Sequence, residues 1–284
     1  MDKKFLVLQS DFGLADGAVS AMKGVAYYVA PEIVVSDLTH DIEPYHISDG
    51  SYRLLQTVKY WPEKTVFVSV VDPGVGSNRR SIVAKTKSGH YIVTPDNGTL
   101  SHVKKFIGLE SVKEIDEKVN RLPHSEHSHT FHGRDVYVYN GAMIADNEAY
   151  YDQLTHDIDP DSIVSLEINN PYFDNEIIHG VIDILDIRFG SLWTNIPLEM
   201  IQEAGIQTGD TMSIVIYNNG IKKYDNQLIF GHSFADVAVG ETVAYINSLI
   251  RLGIAINQQN FSQTYNIGTG NDWQIQVKKV NIKA

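Results

Sequence analysis

Asp72 and Arg79 stand seven residues apart in Asp72-Pro73-Gly74-Val75-Gly76-Ser77-Asn78-Arg79-Arg80. Two glycines give the backbone a tight path close to a ligand, and a carboxylate and a guanidinium at this spacing can meet across the loop. The plainer reading is a turn with a surface arginine pair, since exposed ion pairs are common and contribute little. No Gly-Lys-Ser/Thr follows, so the stretch is not a nucleotide P-loop. Asp11, in Ser10-Asp11-Phe12-Gly13, could accept hydrogen bonds from a ribose diol or simply cap the helix that follows. His124, His127, His129 and His132 crowd together like metal ligands. No regular element or carboxylate set accompanies them, so they read as loop histidines and no metal site is expected. His132 differs in its flanks, Phe131 and Gly133, within Thr130-Phe131-His132-Gly133-Arg134-Asp135. Asp186, Phe189, Gly190, Trp193 and Asn195 form a compact polar and aromatic group. It reads as a packed hairpin corner, or as a pocket for an amino-acid-like group: carboxylate to ammonium, Asn to carboxylate, aromatics beside a cation.

These residues need a scaffold, and the hydrophobic pattern supplies one. Phe5–Leu8 is a short apolar run ending at Asp11, as a buried strand ends in a loop. Ala18–Ala30 has helical spacing and stops at Pro31. Ile33–Val35 predicts a strand, Ile47–Tyr60 a helix, and Val66–Val71 and Tyr91–Val93 two more strands. Strands alternating with helices predict a parallel α/β sheet, whose ligands gather beyond the carboxyl ends of the strands. From Ile178 the pattern changes to short apolar runs with turn signals such as Asn218-Asn219-Gly220. Ile178–Ile187, Met212–Tyr217, Gln227–Phe230, Leu252–Ile256 and Trp273–Val280 predict a second, mainly antiparallel domain. The expected division is an α/β domain over residues 1–160 and a β-rich domain over 175–284, with the boundary within Asp157–Asn175.

At 284 residues the chain is long enough to bury a core without staples, and about two domains are expected. Lys and Arg number 23 against 35 Asp and Glu, a net charge of −12, which argues against a nucleic-acid or anionic-membrane partner. The absence of cysteine excludes disulfides, thiolate metal sites and a cysteine nucleophile. The first apolar run is too short for a signal-peptide core or a membrane span, so a cytoplasmic location is expected.

Seven segments in order carry a resemblance. They are Ser10-Asp11-Phe12-Gly13, Met22-Lys23-Gly24, Val71–Ser77 with Arg79-Arg80, Pro95-Asp96-Asn97-Gly98, Thr130–Asp135, Asp186–Gly190 with Thr194-Asn195-Ile196, and Ile254-Ala255-Ile256-Asn257. Together they resemble the S-adenosyl-L-methionine (SAM) hydroxide adenosyltransferases, or SAM hydrolases, relatives of the fluorinase and chlorinase. The resemblance implies an N-terminal Rossmann-like α/β domain, a C-terminal antiparallel β-barrel-like domain, and a homotrimer with active sites between subunits. The substrate it implies is SAM, split to adenosine and L-methionine by water or hydroxide at C5′, with no cofactor. The Asp–Arg–His set of the hydrolytic members matches Asp72, Arg79 and His132. In this reading Asp72 fixes Arg79, Arg79 orients the water, and His132 accepts a hydrogen bond or proton from it. The ribose-binding Asp matches Asp11, and the residue stacking near the sugar matches Tyr45. The methionine-binding Asp matches Asp186, the aromatics beside adenine match Phe189 and Trp193, and a serine near the methionine end matches Ser248. Two positions depart from the pattern: Ser191 stands where most members have Asn, a methionine contact, and Gly253 where an acidic residue is common. The halogenating relatives surround their halide with an aromatic, a threonine and a tyrosine–serine pair. The matching positions here hold Asp72, Val75 and the pair His132–Gly133. The alternatives carried forward are a SAM-dependent 5′-halogenase and a non-catalytic adenosine- or SAM-binding protein.

Overall fold

A computed structural model describes residues 3–154 and 156–280. The chain forms two compact units, Met1–Glu167 and Ile168–Ala284. Among the described residues no helix is long and apolar enough to cross a membrane.

The first unit is built on seven strands: β1 (Phe5–Ser10), β2 (Val34–Thr39), β3 (Val66–Val70), β4 (Ser81–Thr86), β5 (Tyr91–Pro95), β6 (Leu109–Glu114) and β7 (His156–Ile158). They lie in the order β2-β1-β3-β5-β4-β6-β7. Alternation of side chains along each strand sorts the core onto two faces. Leu6, Leu8, Val66, Val68 and Val70 face one way and pack on α1 (Ala18–Val29), whose Met22 and Ala26 meet them. Val7, Phe67, Ile82 and Ile92 face the other way, toward Leu54 and Val58 of α2 (Ile47–Val58) and Val103 of α3 (Ser101–Phe106).

The sheet is only half parallel. β2, β1, β3 and β5 run parallel, while β4, β6 and β7 pair antiparallel. The four strands expected from the sequence are the parallel ones; the antiparallel half begins at β4, which the sequence pattern does not reveal and which joins β5 through only Lys87–His90, with Gly89 at φ +78. A connection that short turns the chain back on itself, whereas a parallel neighbour needs a long crossover. From β1 the chain first adds β2 on one side and then β3 on the other, so the strand order reverses between β1 and β3. Asp11 follows the end of β1 and Asp72 the end of β3, the position where α/β sheets open a crevice.

The second unit holds β8 (Tyr172–Asp174), β9 (Ile177–Asp186), β10 (Ser191–Pro197), β11 (Thr211–Asn218), β12 (Ile221–Phe230), β13 (Thr242–Ile246), β14 (Arg251–Ile256) and β15 (Gly270–Lys279). Seven of them close a barrel in the order β9-β10-β14-β13-β12-β11-β15 and back to β9, with β8 outside on β9. Every pair is antiparallel except β12 and β13. The interior is filled by alternate residues such as Met212, Ile214 and Ile216 of β11 and Ile275 and Val277 of β15.

Candidate active site

The loop after β3 returns on itself through Val75 N–H to Asp72 C=O and Ser77 N–H to Gly74 C=O. Gly76 has φ +77, and a β-carbon there would sit 3.0 Å from the His129 carbonyl. The fold of this loop carries Arg79 back over Asp72. Arg79 Nε donates to both Asp72 oxygens, at 3.2 and 3.0 Å, and Nη2 donates to Oδ2 at 2.8 Å. Arg80 turns the other way and pairs with Asp96.

His132 precedes a π-helical turn, Gly133–Val138, which continues as α4 (Tyr139–Asp146). Such wide turns recur at functional sites. The turn buries Tyr137 beneath Arg79, whose guanidinium carbon lies 5.6 Å from the ring centre. Arg79 Nη2 comes 2.9 Å from His132 Nδ1. The three residues singled out from the sequence therefore form one bonded cluster, with side-chain exposures of 4 % for Asp72, 9 % for Arg79 and 4 % for His132.

Three further members were not foreseen. Glu117 accepts from Arg79 Nη1 at 2.6 Å and from Ser81 Oγ at 2.5 Å. Arg79 Nη1 also donates to Ser81 Oγ at 3.2 Å, and the Tyr137 hydroxyl donates to Asp72 Oδ2 at 3.3 Å. Burial works to raise the Glu117 carboxyl, but the hydrogen bonds it accepts from Ser81 and Arg79, with the Arg79 charge, act the other way and hold it low, at about 2. Burial also works against the charge on Arg79, and its two carboxylate partners more than offset it, keeping the guanidinium charged well beyond its ordinary range. Tyr137 is pushed well above the usual phenol range, chiefly by burial and then by the Asp72 charge, so it stays a neutral donor.

Asp11 Oδ2 accepts from the Tyr45 backbone N–H at 2.9 Å. Tyr45 itself has φ +71 and an exposed ring. A left-handed conformation at an aromatic residue is strained and marks a segment held in place by its surroundings. Behind Asp11 a chain of contacts runs from buried Ser10 and His40 out to exposed Asp37. Ser10 Oγ is 2.7 Å from His40 Nδ1, and His40 Nε2 is 3.1 Å from Asp37 Oδ1. The other clustered histidines, His124, His127 and His129, are exposed.

In the second unit Asp186 ends β9 and Ser191 opens β10, the two paired across the turn. Gly190, at φ +65, closes that turn by donating to the Asp186 carbonyl. Phe189 is exposed. Trp193 and Asn195 are buried and engaged: the indole N–H donates to Tyr245 at 3.1 Å, and the Asn195 amide bonds to the backbone at Val181 and Asn169. Ser248 is exposed in the turn between β13 and β14. That turn lies beside Pro197, at the opposite end of β10 from Asp186, since Pro197 pairs with Arg251. Six strand residues separate the two ends, roughly 20 Å. Within this unit Ser248 does not join the Asp186 group.

Comparison with known proteins adds to this geometry. Residues 6–164 match the model of the SAM hydroxide adenosyltransferase N-terminal domain, and residues 180–274 that of its C-terminal domain. An (R)-S-adenosyl-L-methionine hydrolase of Methanocaldococcus jannaschii is 37% identical over 223 residues, covering 77% of this chain and 76% of that protein. A fluorinase of Nocardia brasiliensis is 25% identical over 302 residues, with 97% of each covered. The crystal structure of an uncharacterized conserved protein from Thermotoga maritima superposes with a TM-score of 0.86 at 29% identity, over 96% of this chain and 99% of that one.

Proposed function

The chain belongs to the SAM hydroxide adenosyltransferase family, and from that premise we infer that it hydrolyses SAM to adenosine and L-methionine. A sulfonium leaves as a neutral thioether, so the substrate carries its own leaving group and no acid has to protonate it. The carbon–oxygen bond forms as the C5′–sulfur bond breaks, the bonding pair passes to sulfur, and one proton is released. What remains for the protein is to hold water in line with C5′ and opposite the sulfur, and to keep competing solvent out. In this reading Asp72, Arg79 and His132 form the catalytic set and Asp11 and Tyr45 hold the sugar. Asp186 and Phe189 receive the methionine and adenine ends, with Ser191, Trp193 and Asn195 supporting them.

One observation favours water over halide. The cluster sets two carboxylates, Asp72 and Glu117, against one guanidinium. A halide entering there meets an excess of negative charge, and neither Val75 nor Gly133 offers a hydroxyl to replace its hydration shell. The reading also includes a cytoplasmic homotrimer in which each active site is completed by a neighbouring copy, as the family resemblance implies.

The test is incubation with SAM in heavy-oxygen water, with the products separated by chromatography. Adenosine labelled at its 5′ oxygen is expected. A 5′-haloadenosine accumulating in chloride would make the protein a halogenase, and intact SAM would make it a binding protein.

A further inference from the structure

A guanidinium has five N–H bonds, and in this protein all five of Arg79 are taken by its own neighbours. Nε–H goes to Asp72, the two hydrogens of Nη2 to Asp72 and His132, and the two of Nη1 to Ser81 and Glu117. None is left over to hold a water. His132 is the reverse case: its Nδ1 is engaged, while its Nε2 is buried without a hydrogen-bond partner.

Nδ1 has two neighbours of opposite kind. Arg79 Nη2, which can only donate, lies at 2.9 Å, and Glu117 Oε2, which can only accept, lies at 3.5 Å. One ring nitrogen cannot serve both. The shorter contact lies within hydrogen-bond range and the longer at its edge, so Nδ1 carries the lone pair and the ring proton sits on Nε2.

We propose that Glu117 is a positioning residue: with Asp72 and Ser81 it exhausts Arg79, which thereby fixes His132 as an Nε2–H donor facing the reactants. This rests on the hydrolase reading and revises one part of it. Arg79 acts through His132 and does not touch the water, and His132 holds the water oxygen by donating to it and does not take its proton. The attack needs no tuned base, because the oxonium formed at C5′ is strongly acidic and sheds its proton to water once the carbon–oxygen bond is made. A buried donor left unpaired is costly, and a cluster that satisfies every other N–H of this pair keeps that one for the reaction.

The test has a substrate-free arm and a kinetic arm. The substrate-free arm uses long-range proton–nitrogen NMR of histidine-labelled wild-type protein. The His132 signals are assigned by their loss in His132→Gln. At neutral pH His132 should carry its proton on Nε2, and in Glu117→Gln that tautomer should lose population as Arg79 is freed to move. Glu117→Gln should also lower kcat about tenfold while leaving KM for SAM within about twofold, as expected of an effect confined to the transition state. The charged groups facing His132 are Arg79 and Glu117, with Asp72 behind Arg79. A wild-type His132 protonated on Nδ1 overturns the proposal even if no variant folds. An unchanged tautomer and unchanged kcat in a folded Glu117→Gln overturn the role of Glu117. Because the NMR needs no substrate, a wild type inert toward SAM would count against the hydrolase reading alone.

Discussion

A β-carbon on residue 133 would come within 3.1 Å of the Phe12 ring, so Gly133 lets the start of the π-helical turn lie directly against the loop that carries Asp11. The His132 and Asp11 segments meet there, the Phe12 ring lying against Gly133 and edge-on to Phe131 with ring centres 5.8 Å apart. Gly133→Ala should push Phe12 outward and shift Asp11 with it. KM for SAM is expected to rise by about threefold to tenfold, with melting lowered by a few degrees, roughly 1–2 kcal/mol for one overpacked methyl. Steady-state kinetics beside a thermal melt check this, and an unchanged KM would show that the two segments move independently.

Arg79→Ala and His132→Ala should lower kcat by about a hundredfold or more while SAM still binds, because His132 holds the nucleophile and Arg79 fixes His132. Asp11→Ala should instead raise the dissociation constant, since contacts with a ribose diol are the same in the ground and transition states. Calorimetric titration with SAM separates the two classes. Full turnover in His132→Ala would remove His132 from the site.

Glu117 gives an acid signature with a definite sign. Its folded carboxyl sits at about 2 against an ordinary 4.5. The stability it contributes is present above 4.5 and lost as pH falls from there toward 2. Allowing for its partial exposure, the wild type should lose about 1–2 kcal/mol more than Glu117→Gln between about pH 5 and about pH 3. Urea melts at the two pH values provide the comparison, and parallel losses in both proteins would refute it.

If each site is shared between copies, Asp72→Ala and Asp186→Ala should rescue one another. Coexpressed and purified as mixed trimers, about a third of the sites would carry neither defect, because every mixed symmetric ring has one correctly oriented junction in three. Activity near that fraction of wild type is expected. Inactive mixed trimers, or an active monomer by light scattering, would mean that each copy makes its own site.

The parts of this architecture that were legible in the sequence are those with short-range causes. β1 opens with the apolar run Phe5–Leu8 and β3 is apolar but for Ser69, and each leads into an Asp-bearing turn, so their loops, and with them Asp11 and Asp72, could be placed at strand ends. The meeting of Asp72 with Arg79 follows from glycine-bearing spacing within one loop. Glu117 was invisible because it reaches Arg79 from 38 residues away and sits in Asp116-Glu117-Lys118, which reads as an ordinary solvated run. Ser81 was missed together with β4, the strand it opens, and with it the antiparallel half of the sheet. For Trp193 and Asn195 nothing local in the sequence reveals that strand register buries them against Tyr245 and the backbone of Val181.

The closed ring of the second unit also bears on how the protein avoids unwanted association. A sheet ending in an unpaired strand exposes a row of backbone donors and acceptors that can template pairing with another chain. Closing the ring removes most such edges, and β8, the strand outside it, is only three residues long. Among the described residues β12 keeps one: it meets β13 only through Ile229 and Phe230, so the backbone of residues 221–228 is paired on the β11 side alone and is the stretch of this unit open to strand addition.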